Sequence, residues 1–442
     1  MTDSFNPVYY NAVDQIYHVE WASVKLARLE LLKQSIARLW PHGLATRYIH
    51  VAGTSGKGSV CRYLEAVFSL GNIAGSLTGP HLFDYRERFS IQGQYASQDS
   101  VTEAWEERIR PLCIELALRG EYYVHTVNEI NILIALALFE RYKVEWAAIE
   151  TGLGGRYDQT TALEVDAAVI TNIGRDHEEL LGREQWQRAL DKGGVCRRDR
   201  PLFTAVQDNE SLSILRAICQ HMNAPLYLVT AEELEGIRQL LGRLYPHGLP
   251  DESLLNAEHQ LWNAALSLMV VKHFLPEVES EEALRKFVDV RFAGRFQKIG
   301  DRIYIDIAHN PDKVEALTKE LMKKFPNKSK IFVIGLSGRR SPRDVFLPIM
   351  EIADRIIVTS VSYKGVPAAI IEQELKGVNK REVPIQVVLD PEDALKDAKA
   401  LQGQEDVLIL TGSTYMIDQV LNPDPFLRYI NATYGWRTQK SV

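Results

Sequence analysis

Tyr48-Ile-His-Val-Ala-Gly-Thr-Ser-Gly-Lys-Gly-Ser59 is the stretch from which the fold is read. Tyr48–Val51 is a short β-rich run, glycines follow, and a helical pattern then extends from about Lys57 to Leu70. Glycines allow backbone N–H groups to approach an anion closely, and a helix N-terminus adds a favourable dipole. Within Gly53-Thr54-Ser55-Gly56-Lys57-Gly58-Ser59, Lys57 is placed to reach outer phosphates and the Ser59 hydroxyl to ligate magnesium. The spacing is tighter than the standard G-x-x-x-x-G-K-[ST] loop, and a glycine-rich turn with a solvated lysine is the plainer alternative. The order strand, loop, helix favours phosphate binding.

Working outward, Trp146–Glu150 and Ala167–Thr171 are short apolar runs bounded by glycines or polar residues, as inner parallel strands should be. Thr126-Val-Asn-Glu129 is a capping-box pattern ahead of a buried helix, Ile130–Phe139, and Glu258–Phe274 has helical leucine spacing. Near Val288–Arg295 the pattern restarts. Ile303–Asp306, Ile331–Gly335, Arg355–Thr359, Ile385–Leu389 and Val407–Thr411 read as strands with helices between them. The chain is therefore expected to be α/β throughout: a domain with a largely parallel sheet over residues 1–292, carrying the phosphate-loop candidate, and a smaller α/β domain over 293–442.

Chemistry-bearing residues fall at strand ends, where ligands of parallel sheets bind. Glu150 ends its strand beside Thr151-Gly-Leu-Gly-Gly-Arg156, and its carboxylate suits Mg²⁺; pairing with Arg156 is the structural alternative. Asn172-Ile-Gly-Arg-Asp-His177 reaches the same edge, so His177 is a candidate metal or phosphate ligand. In the second domain Asp306-Ile-Ala-His309-Asn310-Pro311 leaves a strand and enters a helix. Asn310 and Pro311 suit the N-cap and first turn, whereas Asp306 and His309 have no such structural employment in the sequence. Arg295 offers a charge-assisted phosphate contact. Lys192 precedes Gly193 and Gly194 and reads, on spacing alone, as a solvated residue ending a helix.

Composition narrows the class. Hydrophobic residues make up 46% and charged residues 25% of 442, ordinary globular values. With 58 acidic against 51 basic residues, the net charge of -7 disfavours a phosphate-gripping nucleic-acid binder. The longest apolar stretch, Ile130–Phe139, is too short to span a bilayer, and Met1–Tyr10 lacks a leader's basic-then-apolar layout. The four cysteines, Cys61, Cys113, Cys196 and Cys219, have neither metal-ligand spacing nor a disulfide framework. A cytoplasmic protein without nucleic-acid or membrane partners is expected.

With these residues in place, the chain resembles the folylpolyglutamate synthase and dihydrofolate synthase family of the Mur ligase superfamily. The matching motifs are His50 to Ser59, Pro80-His-Leu82 with Arg86-Glu-Arg88, Glu150 to Arg156 with Asp158, Ile170 to Gly174, Asp176-His177 and Lys192. They continue through His259-Gln260 with Asn263, Gly294-Arg295-Phe296, Asp306, Ala308 to Pro311, and Gly412-Ser413 with Tyr415. The resemblance implies an ATP-dependent amide ligase, with an N-terminal P-loop ATPase domain built on a parallel sheet and a smaller C-terminal Rossmann-like α/β domain, that phosphorylates a carboxylate and lets the amine of L-glutamate attack the acyl phosphate. It implies ATP and Mg²⁺ as cofactors and a monomer acting on small molecules, a folate-type carboxylate acceptor and L-glutamate. Carried over, Gly53, Thr54, Gly56, Lys57, Gly58 and Ser59 hold the triphosphate, while Asn263, Arg295, Asp306 and His309 complete the nucleotide site. Ser59, Glu150 and His177 take the metal; Lys57, His177 and Lys192 serve catalysis; and Lys192 matches a lysine the family carbamylates.

The match has gaps beside the site. Gly79 stands where the family usually has a metal-binding serine, and Asp158-Gln-Thr-Thr161 replaces Asp-Ala-Thr-Asn. Thr126-Val-Asn-Glu129 lacks a phenylalanine, and Asp191-Lys-Gly-Gly-Val195 departs from Glu-Lys-Ala-Gly-Ile. Two further readings therefore stand beside the folate ligase: the same chemistry on a non-folate carboxylate, and a nucleotide-binding protein whose catalysis has decayed.

Overall fold

The computed structural model describes residues 9, 12–13, 25–118, 125–338, 340–428 and 430–431. Of the opening stretch Met1–Tyr10, all but Tyr9 lies outside these described residues. The chain divides into two compact units, Met1–His81 with Tyr85–Val290, and Leu82–Asp84 with Arg291–Val442.

In the first unit the strands are β1 (Arg47–Ala52), β2 (Ala74–Leu77), β3 (Phe89–Ile91), β4 (Gln94–Tyr95), β5 (Trp146–Glu150), β6 (Ala167–Ile170), β7 (Leu202–Thr204) and β8 (Leu226–Leu228). They form one sheet in the order β4-β3-β2-β5-β1-β6-β7-β8. Pairing is parallel except where β3 runs back between β2 and β4. β1 lies between β5 and β6, with Val51 opposite Glu150 and Ala52 opposite Ile170. That register delivers the phosphate-loop candidate, Glu150 and Thr171 to one sheet edge. Every residue of β1 after Arg47 is buried, which is why the strand reads as a continuous apolar run rather than an alternating one.

Helices cover this sheet. Lys57–Phe68 packs through Val60, Leu64, Val67 and Phe68, whose ring stacks on Trp146 at 4.6 Å. The helix Val127–Arg141 starts where the capping pattern places it, with Glu129 accepting from the Thr126 amide at 2.7 Å. Glu129 is fully buried and also takes two bonds from Arg28, at 2.9 and 2.5 Å, so its charge is paired rather than stranded. Glu258–Phe274 is helical as its spacing suggests. No helix among the described residues is long and apolar enough to cross a membrane.

The second unit holds β9 (Gln297–Gly300), β10 (Ile303–Asp306), β11 (Lys330–Ile334), β12 (Arg355–Val358), β13 (Ile385–Val387) and β14 (Val407–Thr411), in the order β13-β12-β11-β14-β10-β9. Only β9, paired antiparallel with β10, breaks the parallel pattern. Both faces are covered by apolar clusters, one around Phe332 and Phe346, the other around Val333 and Leu410.

Two features differ from the sequence reading. Residues 82–84, assigned there to the first domain, belong with the second unit: Leu82 is buried beside Ile305 and Ile307, and the Phe83 carbonyl accepts from Asn422 and Asn431 at 3.0 and 3.3 Å. So short an excursion carries no periodicity to read. Strand β9 was also missed, because Gln297, Lys298 and Ile299 are exposed and carry no buried alternation.

Candidate active site

The site begins where β1 ends. Gly53 has φ +144°, and a Cβ there would sit 1.8 Å from the Thr171 hydroxyl oxygen. Gly56 has φ +83° and caps the helix Lys57–Phe68; its Cβ would fall 2.5 Å from the Asn263 amide oxygen. Both positions demand glycine on conformation and on space. The resulting turn presents backbone N–H groups at a helix N-terminus, the arrangement that favours phosphate.

Side chains far away in sequence hold the loop. Asn172 Oδ1 accepts from the amides of Thr54 and Ser55 at 3.1 and 2.8 Å. Thr54 Oγ1 accepts from the Gly174 amide at 2.9 Å, and Thr171 Oγ1 donates to the Ser55 carbonyl at 2.6 Å. On the helix side, Gln260 donates to Ser59 Oγ at 3.1 Å and accepts from Asn263 at 3.1 Å. Three of the predicted residues, Thr54, Ser59 and Asn263, are thereby tied into one braced loop.

Two ammonium groups meet at the mouth of this loop. Lys57 Nζ donates to the Gly53 carbonyl at 3.2 Å and lies 3.9 Å from Glu150 Oε1. Lys192 Nζ donates to the same carbonyl at 3.3 Å. Contrary to the solvated lysine that its spacing suggests, Lys192 is only 3% exposed. Burial, and then the neighbouring Lys57 charge, lower its pKa from 10.5 to about 8. An amine of that kind is neutral often enough to act as a nucleophile toward carbon dioxide.

Glu150 keeps one oxygen toward Lys57 while the other accepts from the Gly79 amide at 2.9 Å. A Cβ on Gly79 would come within 2.8 Å of Arg88 Nη1, so the guanidinium fills the space a side chain would need. Arg88 is held in turn by His81 Nδ1 at 3.0 Å. A carboxylate beside the lysine of a phosphate cradle suits Mg²⁺, which keeps waters and phosphate oxygens as most of its ligands. Among the described residues, no group of three or more His, Cys, Asp or Glu side chains forms a ready-made metal cage. His177 is partly exposed, adopts φ +51°, and has Nε2 3.8 Å from Asp176 Oδ1.

In the second unit Asp306 ends β10 and is fully employed. Its two oxygens accept from the amides of Phe296 and Ala308, each at 2.8 Å. This corrects the expectation that Asp306 lacks a structural task. Burial pushes its carboxyl above the usual value, opposed by the Arg295 charge and these two amides. Arg295 itself lies over the Phe292 ring at 5.2 Å. His309 Nδ1 donates to the Ile307 carbonyl at 2.7 Å, leaving Nε2 3.3 Å from Lys313 Nζ. Asn310 caps the helix Pro311–Lys324 through the Lys313 amide at 2.9 Å, as its position predicts.

Several further contributors stand in the quoted motifs without a role read for them. Thr171, Asn172 and Gln260 brace the loop, and His50, Thr151 and Thr160 form a buried cluster behind Glu150. Membership in those motifs is their sequence signal, and it does not say which groups they meet.

Comparison with known proteins gives matches in both parts of the chain. Residues 51–186 match the Mur ligase middle domain, and residues 294–414 match the Mur ligase, glutamate ligase domain. The chain is similar to the dihydrofolate synthase/folylpolyglutamate synthase of Bacillus subtilis, with 30% identity over 406 residues, 88% of this chain and 93% of the relative. The Escherichia coli protein of the same name is 29% identical over 412 residues, covering 91% and 92%. Among solved structures, the bifunctional folylpolyglutamate synthase/dihydrofolate synthase of Yersinia pestis, complexed with AMPPNP and Mn ion, superposes with a TM-score of 0.78. It is 25% identical, and the match covers 95% of this chain and 98% of that one.

Proposed function

Since the chain belongs to the dihydrofolate synthase/folylpolyglutamate synthase family of Mur ligases, we propose that it joins L-glutamate to a folate-type carboxylate at the expense of ATP. The reaction activates the carboxylate as an acyl phosphate, and the glutamate amine displaces the phosphate to form the amide. The observation that carries this reading is the convergence of Lys57, Lys192 and Glu150 on the mouth of the Gly53–Ser59 loop.

The residues divide the work by their chemistry. Backbone N–H groups from Gly56 to Ser59 cradle the phosphates, with Thr54 holding the turn, and Lys57 neutralises the charge that builds on them during transfer. Ser59, Glu150 and His177 are assigned to magnesium, which when bound would supply neutralisation of triphosphate charge. Asn263, Arg295, Asp306 and His309 are assigned to the nucleotide. Lys192, with its lowered pKa, is assigned a carbamate that would present an additional anionic oxygen. We place the enzyme in the cytoplasm as a monomer acting on small molecules, without nucleic-acid or membrane partners.

The deciding assay supplies ATP, Mg²⁺ and L-glutamate with dihydropteroate, tetrahydrofolate or a folate diglutamate. The expected result is ADP release together with a product heavier by one glutamyl unit in mass spectrometry. A second reading, a non-folate carboxylate, is favoured by one feature: Arg88 occupies the space beside Gly79 where the family usually has a serine. Robust ADP formation with a non-pterin acid, and none with these three acceptors, replaces the first reading with the second.

A further inference from the structure

His50 occupies the middle of β1, fully buried, three residues before the phosphate loop begins. An imidazole there is costly unless its nitrogens are satisfied. Its Nε2 lies 2.7 Å from Thr160 Oγ1 and 3.0 Å from Thr151 Oγ1. Thr160 Oγ1 is also 2.5 Å from Asp158 Oδ1. A carboxylate only accepts, so the single Thr160 proton goes to Asp158, and the Thr160 oxygen must accept from His50. Nε2 therefore carries the proton, and Nδ1 is the bare nitrogen. That nitrogen is the one with no hydrogen-bond partner among the described residues. Burial, and then the charge of Arg197, lower the imidazole pKa to about 3, which keeps the ring neutral in this tautomer.

The bonds run on from there. Asp158 Oδ2 accepts from the Leu153 amide at 2.8 Å, inside the glycine turn that follows Glu150. Thr151, the residue directly after Glu150, is 1% exposed and continues the ladder through its amide to the Val51 carbonyl at 2.9 Å. One imidazole thus contacts both hydroxyls that flank the turn leaving Glu150, from the same strand that ends in the phosphate loop.

We propose that His50 is a positioning residue for the metal–phosphate site, fixing Glu150 and the 152–155 turn against the phosphate loop through Thr151, Thr160 and Asp158. The proposal rests on the ligase reading above and adds a residue to it. It separates His50 from an ordinary core side chain, because its bonds run to the turn that leaves the strand carrying the carboxylate assigned to magnesium, and not to the backbone cradle itself. Metal-dependent nucleotide affinity should therefore respond, while metal-free affinity should not.

The test compares the parent with His50→Phe, His50→Gln and Thr160→Val by calorimetric titration with ADP in EDTA and with a non-hydrolysable ATP analogue in Mg²⁺, alongside melting temperature. Loss of a residue that orients a metal ligand typically costs about 10-fold or more in metal affinity. His50→Phe should match the parent with metal-free ADP and lose about 10-fold of the magnesium-dependent gain. His50→Gln, which keeps an N–H donor, should recover part of it. Thr160→Val should reproduce the loss and add little to it in the double variant. If metal-free and metal-loaded affinities fall together, or if the magnesium-dependent gain is intact, His50 is only a core residue and the proposal fails. Should His50→Phe not fold, His50→Gln and Thr160→Val give the same decision. A parent with no magnesium-dependent gain sinks the ligase reading and this proposal together; a parental gain that all three variants retain sinks this proposal alone.

Discussion

The phosphate loop of the first unit and the Asp306–His309 turn of the second both leave a parallel strand and enter a helix, yet they are held in opposite ways. The loop from Gly53 to Ser59 is braced by side chains 116 to 201 residues away, from Thr171 to Gln260. The Asp306 turn is braced by its own neighbourhood, through amides two and ten residues distant and a histidine bonded two residues back. The distributed brace takes the Thr54 and Ser55 amides and leaves the backbone N–H groups from Gly56 to Ser59, at the helix start, for an anion. A local brace spends the Asp306 carboxylate on the turn itself. Substitutions in the first region should therefore cost activity more than stability, and those in the second should cost both.

The largest expected effect is on Lys57. Lys57→Ala removes the mobile charge at the cradle but none of the long-range braces, so the melting temperature should stay near the parent. Turnover of ATP should fall about 100-fold or more, the scale of losing one preorganised charge-stabilising donor. Steady-state ADP release measures it. Parental turnover would break the comparison at its first term.

Next is Lys192, where stability and pH separate a buried amine from a solvated one. Folded Lys192 titrates at about 8 against 10.5 for an unperturbed lysine. Between those values the unfolded chain holds the extra proton, so stability rises with pH across this window. The penalty of burying the ammonium is complete below about 8 and absent above 10.5. Each pKa unit is worth about 1.4 kcal/mol, and the lost bond to Gly53 offsets part of the gain from removing the charge. In bicarbonate-free buffer, Lys192→Met should stabilise the fold at pH 7 by about 1–2 kcal/mol. The advantage should shrink toward pH 10. Urea unfolding across that range measures it, and a pH-independent difference would place Lys192 in solvent after all. Activity should be lost in the same variant, with no pH rescue.

What could be read in advance follows from the same contrast. Strand, glycines and Lys57 are local signals, and so are the Asn310 cap and the Thr126–Glu129 helix start. The Asn172 and Gln260 braces were illegible, since nothing local says which amide a distant carboxamide will meet. Lys192 looked solvated because helix-end spacing cannot show that a Cβ on Gly155 would fall 2.8 Å from the Lys192 Cα, which is how closely that turn covers it. Asp306 looked unemployed because its partner Phe296 lies just ahead of β9, an exposed polar strand without alternation.

Asp306→Asn sharpens the comparison from the other side. An amide keeps one acceptor oxygen, so either the Phe296 or the Ala308 N–H loses its partner and faces an NH₂ group instead. Leaving one such group unsatisfied costs about 1–3 kcal/mol. Denaturant unfolding should show that loss together with weaker ATP binding by calorimetry. A variant with parental stability would mean the turn is held by something other than these two bonds.

The smallest effect is expected at Gly79, and it tests whether the first region's metal site is complete. The atom nearest to an added Cβ is Arg88 Nη1 at 2.8 Å, the far end of a flexible side chain. Gly79→Ser should therefore move the guanidinium and leave the backbone in place, so its amide keeps the 2.9 Å bond to Glu150. Stability should change by no more than about 0.5 kcal/mol, the scale of a tolerated surface change. A hydroxyl beside that carboxylate adds an oxygen donor of the kind magnesium takes, and a few-fold drop in the Mg²⁺ concentration for half-maximal ADP release is expected. If Gly79→Ser instead raises that concentration, Arg88 in its present position contributes to the site, and the glycine is a matched partner of Arg88 rather than a vacancy in the metal shell.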